Sequence, residues 1–418
     1  MILKLARKSL WNRRGTAILT LVSLAISVAL ILGINHLRHQ AKQSFTSTIS
    51  GTDLIVGARS GSTNLLLYSV FRIGNATNNI SWESYQAIRK SREIDWTIPL
   101  SLGDSHRGFR VLGTDHNYFE HYRYGDRRGL VFTRGGPFEG VYESVLGAQV
   151  ARELGYEIGD EIVIAHGLGD VSFSQHDDKP FTVVGILEPT GTPVDRTVHV
   201  RLEGIEAIHL GWQHGARLPG RGVSAEEALQ RELQPEAITA FLVGLKSRMA
   251  TFRLQRAINE YRKEALTAIL PGVALAELWD VLGMVENMLI VVAFLVLLAT
   301  LVGMTTTLLS SMKERQRELA ILRAVGAHAG YLFALIEIEA LLLALLGVVL
   351  GILLLTVSLY MLQPWLASEY GLFISANPLN SEALWISAGV LLLAALLSLI
   401  PSVVAYRRAL ADGLSVRT

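Results

Sequence analysis

The sequence predicts a membrane protein: four transmembrane α-helices, with a large α+β periplasmic domain inserted between helices 1 and 2. Three observations predict it. Half of the 418 residues are hydrophobic and the mean hydropathy is +0.36. That is too apolar for an ordinary soluble protein of this length and too polar for a bundle of membrane helices alone. Four segments supply the roughly 20 mostly apolar residues that a spanning helix needs, at 16–34, 284–309, 331–361 and 384–405. Between the first two lies a polar stretch, 35–283, long enough for one large or two small domains.

The composition also excludes. A net charge of +1 gives no bulk basic character for nucleic acid, and the absence of cysteine removes disulfides, thiolate metal sites and a Cys nucleophile together.

Residues 1–15 can form an amphipathic interfacial helix, with Leu3, Ala6 and Leu10 opposed to Lys4, Arg7 and Lys8; the same charges also serve topology. The apolar run 16–34 is longer than the core of a secretory signal and is followed by Asn35, His36 and Arg38 instead of a small-x-small cleavage site, so it is expected to be a retained span. Lys and Arg flank the spans unevenly. Lys4, Arg7, Lys8, Arg13 and Arg14 precede the first. Lys313, Arg315, Arg317 and Arg323 lie between the second and third, and Arg407, Arg408 and Arg417 follow the fourth. The loop 362–383 has neither residue. The positive-inside rule then places both termini (the tail is 406–418) and the 310–330 segment in the cytoplasm, and 35–283 and 362–383 outside, which is the periplasm if the cell is Gram-negative.

In the external region, Asp53–Gly57 and Phe109–Gly113 read as short strands ended by glycine. Ser144–Gly155 reads as a helix with Gly155 as its stop. Gly159–Ala165 and Phe181–Leu187 read as a strand pair. A second unit follows: strand Phe241–Leu245, amphipathic helix Met249–Ala265 and strand Val273–Ala276, a small βαβ element. Two subdomains are therefore expected, about 50–205 and 236–275, joined by an exposed, mobile connection at 211–235. Helical stalks at 38–50 and 275–285 would lengthen the first and second spans.

The segment 310–330 is the most informative. Leu319, Ile321, Leu322 and Val325 alternate with Lys313, Glu314, Arg315, Arg317, Glu318 and Arg323, and Gly326 ends the run. A connector obeying the positive-inside rule would need only the basic residues. Glu314 and Glu318, at i and i+4 among arginines, suit a specific docking surface instead. In the third span Gly347 and Gly351 form a small-xxx-small pattern that allows close helix packing. Glu337 and Glu339 lie near the same end of that span as the charged segment. Intramembrane carboxylates face a bundle interior or water, so a structural partner, the headgroup region or a proton relay are the readings. His166, Asp170, His176, Asp177 and Asp178 crowd one external loop, with His199 downstream; imidazoles and carboxylates suit a divalent ion such as zinc, but no tight ligand spacing is present, and such residues are ordinary in surface loops. No G-x-x-x-x-G-K-[ST], G-x-S-x-G or H-E-x-x-H occurs, so any ATP hydrolysis would come from a separate subunit.

One span, a large external domain, three more spans and a charged segment between spans two and three resemble the FtsX/MacB-type (type VII, mechanotransmission) permeases of ABC transporters, related to the lipoprotein-releasing LolC/LolE and macrolide-exporter permeases. Glu314–Ala327 is similar to the family's "ERxxEIGxLRAxGA" segment, with Leu319 for the usual Ile and Ala320 for the usual Gly. Glu339 followed by Gly347 and Gly351 resembles its third-span pattern. Pro401, Ala405 and Arg408 resemble its C-terminal ending without the final proline. Leu154–Ile164 and Phe181–Leu187 resemble a stretch of its periplasmic domain. The resemblance implies a permease in a bacterial inner membrane, paired with a second permease copy, identical or not. It implies a LolD/MacB-like ABC ATPase that holds the ATP and Mg, with no cofactor in this chain, and 313–326 as the coupling helix. It further implies a periplasmic or lipoprotein partner, and work done outside the membrane on a lipoprotein, an exported substrate or a cell-wall hydrolase. The competing readings are a membrane receptor or scaffold signalling through the same segment, and a zinc-linked variant of the transporter.

Overall fold

The computed structural model describes residues 2–166, 176–210, 212–213, 216–217, 223–314, 321, 324–370 and 375–411. The chain divides into two compact units: residues 1–41, 282–365 and 374–418 form a membrane unit, and residues 42–281 with 366–373 an external unit. Along the described chain the helices are α1 (Ile2–Asn12), α2 (Arg14–Thr48), α3 (Ser62–Ser69), α4 (Trp82–Arg89), α5 (Asn117–His121), α6 (Ala148–Leu154), α7 (Leu202–His209), α8 (Ala225–Leu229), α9 (Thr251–Asn259), α10 (Pro271–Glu314), α11 (Ala329–Tyr370) and α12 (Ser381–Ala411).

α2, α10, α11 and α12 are each long and apolar enough to cross a membrane. α10 has 44 residues, about 66 Å at 1.5 Å per residue, roughly twice the hydrocarbon thickness. α2 has 35. Each helix therefore outruns its apolar run, which is why the stalk segments 38–48 and 275–285 are helical without a break. Two boundaries differ from the sequence reading for the same reason, that a helix does not end where its aliphatic residues end. α11 continues through Pro364 to Tyr370, inside the expected 362–383 loop, and α10 runs on to Glu314, inside the expected 310–330 segment.

The external unit is built on a sheet of eleven described strands, β1 (Leu54–Ala58), β2 (Ile94–His106), β3 (Phe109–Thr114), β4 (Phe132–Gly135), β5 (Glu143–Leu146), β6 (Glu161–Ile162), β7 (Ala165–His166), β8 (Phe181–Leu187), β9 (Thr197–Arg201), β10 (Ala240–Leu245) and β11 (Leu266–Ile269), in the order β11-β1-β10-β2-β3-β9-β5-β8-β4, with β7 on β2 and β6 on β8. The 13-residue β2 ties its halves together: residues 94–100 pair with β10 and residues 101–106 with β3. β1 reads Leu-Ile-Val-Gly-Ala and is buried throughout, because Leu54 and Val56 enter one apolar cluster with Tyr85, Phe241 and Leu254, while Ile55 enters another with Leu65, Leu66 and Leu242. Around β3, β5, β8 and β9 a third cluster gathers Phe109, Val111, Leu146, Val150, Phe181, Val183, Val198 and Val200.

This topology corrects the division into subdomains 50–205 and 236–275. β1 is hydrogen-bonded between β10 and β11, antiparallel to both, so the earliest strand of the insertion sits inside the last. The strand–helix–strand element is present, but its two strands flank β1 and its register differs. The helix is Thr251–Asn259, the second strand is Leu266–Ile269, and Val273–Ala276 opens α10. Pro271 at the first helical position pre-sets that helix start. Ser144 lies in β5, not in a helix; α6 begins at Ala148 and Gly155 closes it with φ 71°. The connection 211–235 contains α8, started by a reciprocal capping box between Ser224 and Glu227.

Candidate coupling site in the membrane unit

The charged segment joins α10 to α11. Lys313 and Glu314 are the last residues of α10, Ile321 is helical and 63% exposed, Val325 is exposed, and Gly326 turns the chain at φ 102°. Arg315, Arg317, Glu318, Leu319, Leu322 and Arg323 lie outside the described residues. On the far side of the turn His328 caps α11, its Nδ1 accepting from the Tyr331 backbone N–H at 3.1 Å. At the base of the segment Met312 of α10, Ile336 of α11 and Ala405 of α12 pack together, with Leu309 and Val404 against them. The segment therefore springs from a point where three long helices touch.

Two carboxylates, Glu337 and Glu339, follow Ile336 within the next turn of α11. Residues 337 and 339 lie about 200° apart around a helix axis, so they face different neighbours. Glu339 is 1% exposed, and its Oε2 is 3.4 Å from Arg13 Nη2; Arg13 occupies the turn between α1 and α2 and also reaches Ser9 of α1. Glu337 accepts from the Ser398 and Ser402 hydroxyls of α12 at 2.7 and 2.9 Å. In an apolar medium a carboxylate survives only with such partners. Together these bonds tie α1, α11 and α12 near the end of the helices that bears the charged segment.

Deeper along α11, a Cβ added at Gly347 would lie 2.5 Å from the Leu24 side chain, and one at Gly351 would lie 2.8 Å from Val28 Cβ and 2.9 Å from the Ala25 carbonyl oxygen. One face of α11 is thus pressed onto α2. α2 is held to α10 as well, through the Ser27–Thr300 hydroxyl pair at 2.9 Å and the Arg38–Glu286 ion pair at 2.9 Å. The sequence reading singled out Gly347, Gly351, Glu337 and Glu339, but not their partners. Arg13 was legible only as a topogenic charge. Ser398 and Ser402, two hydroxyls four residues apart on one face of the fourth span, mark that face as polar but do not say which residue it meets.

The His/Asp group lies in the external unit and is only partly assembled. His166 ends β7 opposite Asp104; its side chain and Asp170 fall outside the described residues. His176 is fully buried and meets His209 edge-on, ring centroids 5.3 Å apart. His209 Nε2 is 3.7 Å from Asp104 Oδ1. Asp177 is exposed, and Asp178 Oδ2 lies 3.9 Å from Lys179 Nζ. His199 sits instead within β9 against the Val145 carbonyl and the Tyr118 ring, and burial pushes its imidazole down to about 3. Among the described residues no three His, Asp or Glu side chains form a group able to hold a metal ion.

Two family models match the chain. Residues 17–260, well over half of it, match the MacB-like periplasmic core domain, and residues 290–411 match the FtsX-like permease C-terminal region. The chain belongs to the FtsX/MacB-type ABC transporter permeases. Two solved structures resemble this permease. The periplasmic region of MacB from Actinobacillus actinomycetemcomitans is 12% identical with a TM-score of 0.33, covering 55% of this chain and 94% of that one. The extracellular domain of the noncanonic ABC-type transporter YknZ from Gram-positive bacteria is 12% identical with a TM-score of 0.31, covering 52% and 99%. The comparison with curated proteins yields no match. The MacB-like region begins in α2 and covers the external unit as far as the end of α9, short of β11. The FtsX-like region holds most of α10, all of α11 and α12, and the charged segment between the first two of these.

Proposed function

We propose that this permease subunit couples ATP hydrolysis by a separate LolD/MacB-like ABC ATPase to conformational work by its external domain, the release or export of a lipoprotein or another periplasmic substrate. The observation that carries the reading is the charged segment 313–326. It lies inside the FtsX-like region, joins two helices long enough to span a membrane, and rises from the Met312–Ile336–Ala405 contact of three helices. A push on a segment so rooted moves α10 and α11 together, and the Arg13–Glu339 and Glu337–Ser398/Ser402 bonds extend the movement to α1 and α12. Unbroken helices of 35 and 44 residues are stiff enough to transmit displacement along their axes. The chain has no P-loop sequence, so ATP and Mg belong to the partner. In this reading the protein lies in a bacterial inner membrane with both termini cytoplasmic and the external unit periplasmic, and works beside a second permease copy.

The test is purification from native membranes in mild detergent, with mass spectrometry of what accompanies the chain, for the natural protein and for Glu314→Lys/Glu318→Lys. A P-loop ATPase should accompany the first and be absent from the second, while the variant still inserts. An ATPase retained by the variant overturns the coupling-segment assignment. No ATPase with either protein, where a known exporter keeps its own, favours the receptor reading.

A further inference from the structure

The external unit contains a cleft of about 330 Å³ that the coupling reading does not use, lined by Arg72, Arg110, Asn75, Asn79, Tyr68 and Leu102, among others. Three features build it. First, the chain leaving α3 passes through the left-handed region at Arg72, φ 60°, and again at Gly74, φ 77°. Glycine enters that region freely, but an arginine does so only when its surroundings hold it there, and such residues cluster at ligand sites. The bend turns the Arg72 side chain back so that Nη1 donates to the Ser69 carbonyl, while Nε is buried with no hydrogen-bond partner among the described residues.

Second, Arg110 at the start of β3 is fixed on the opposite wall, Nη1 donating to Asn75 Oδ1 at 3.1 Å and Nη2 to the Gly74 carbonyl at 2.8 Å. Asn75 accepts through its oxygen, which leaves its NH2 group to donate. Third, the β2–β3 register shifts between Leu102 and Ser105, and exposed Gly103 at this irregularity has open space above it. An irregular strand at a cleft wall is a common way to admit a ligand.

The charges in this cleft have one sign. Among the described residues, neither Arg72 nor Arg110 makes an ion pair with a carboxylate. Burial first, and the Arg72 charge second, hold the Arg110 guanidinium below its ordinary range, so the two cations feel one another. Asp195 lies close enough to perturb Tyr118 and Tyr122 together with Arg72. Its oxygens, however, are taken up by Thr190 N–H and Oγ1 and by Gly191 N–H. Two guanidiniums held in place, with amide donors beside them and an apolar wall of Leu102 and Tyr68, are the recognition chemistry of a phosphate-type oxyanion on a small body.

We propose that the cleft between Arg72 and Arg110 is a binding site for a phosphate group, carried either by a small soluble molecule or by a phospholipid head. The test uses the full chain in uncharged detergent at constant ionic strength. Its thermal midpoint is followed while inorganic phosphate replaces chloride, and in a second series while dihexanoyl phosphatidylglycerol is added below its micellar concentration. The proposal expects a saturable rise in the midpoint for at least one probe, with the half-saturating concentration raised about tenfold or more in Arg110→Gln, the loss of one charge-assisted contact. Arg72→Gln is the stronger change but alters the turn, so Arg110→Gln decides if the former does not fold. Saturation by phosphate alone assigns a soluble anion; tighter saturation by the phospholipid assigns a head group. A midpoint that does not saturate with either probe, or that rises equally in natural and variant proteins, overturns the site. If Arg110 serves only to clamp the 72–79 loop, Arg110→Gln lowers the starting midpoint and neither protein responds to the anion.

Discussion

In the external unit, strands and helices meet through large side chains. Tyr85, Phe241, Leu254 and Ile258 fill one side of the sheet, and Phe109, Phe181, Val198 and Ile208 cluster around β3, β8 and β9. In the membrane unit the contacts run instead through Gly347, Gly351, Ala25, Ser27, Ser398 and Ser402, while Leu19, Met288, Leu353 and Leu392 point outward. The difference follows from the solvent. In water, burying about 100 Å² of apolar surface is worth roughly 2.5 kcal/mol, so size drives assembly. Lipid tails are as apolar as leucine, and helices there associate through close backbone approach and polar bonds. The two units should therefore break in different ways.

The sharpest contrast concerns buried acids. Asp115 of the external unit is half-buried beside α5, accepting from the Asn117 backbone N–H at 3.1 Å, and burial pushes its carboxyl up to about 7 against the opposing pull of the Arg89 charge. Glu339 of the membrane unit instead keeps a cation at 3.4 Å. The folded state thus holds the Asp115 proton over a range, from about pH 4 to about pH 7, in which the unfolded chain has released it. Its contribution is fully present below pH 4 and is lost as pH rises to 7. The loss is at most about 4 kcal/mol, at 1.36 kcal/mol per unit. His199, held neutral to about 3, acts with the opposite sign below pH 6.5. The informative quantity is therefore the thermal midpoint of the natural protein minus that of Asp115→Asn, which should fall across pH 4–7. A flat difference would mean that Asp115 is ionised and hydrated.

Removing one member of the membrane ion pair is next in size. Arg13→Leu removes the cation 3.4 Å from the buried Glu339, which should cost about 3 kcal/mol, the low end of the usual range because Arg13 is 17% exposed. Replacing both, as Arg13→Leu/Glu339→Leu, should recover most of that stability. If the pair carries the coupling movement, however, the double variant should remain slow in partner-dependent ATP hydrolysis. A double variant as active as the natural protein would reduce the bond to packing.

How much of this was legible in the sequence differs between the units for the same physical reason. Span positions, the insertion and the charged segment follow from apolar run lengths, which are local properties. So do β1, β3, β8 and β10, whose short apolar runs end at turn residues. The placement of β1 between β10 and β11 was not legible, because a pairing between residues about 190 positions apart, such as Leu54 with Val243, leaves no mark on local periodicity. Nor were the partners of Glu337 and Glu339. A carboxylate in an apolar run announces that a partner exists, and only the fold says that it is Ser398 and Ser402 in one case and Arg13 in the other.

The smallest of these effects tests the packing rule itself. A methyl at Gly351 would meet the Ala25 carbonyl oxygen at 2.9 Å and Val28 Cβ at 2.8 Å, and backbone cannot swing aside as a side chain can. Gly351→Ala should therefore cost about 2 kcal/mol. The atoms nearest a methyl at Gly347 are not backbone but the Leu24 side chain, Cδ2 at 2.5 Å, Cγ at 2.7 Å and Cβ at 3.0 Å; the outer carbons can shift, so Gly347→Ala should cost less. Gly303 on α10 has nothing within 4 Å of an added Cβ, so Gly303→Ala should be neutral or stabilising by the ordinary helix preference of up to about 1 kcal/mol. The three midpoints, measured in one detergent, should fall in the order 303, 347, 351. If Gly351→Ala is as stable as Gly303→Ala, the close approach of α11 to α2 does not hold this unit together, and the polar bonds at Arg13, Ser27 and Glu337 must carry the association instead.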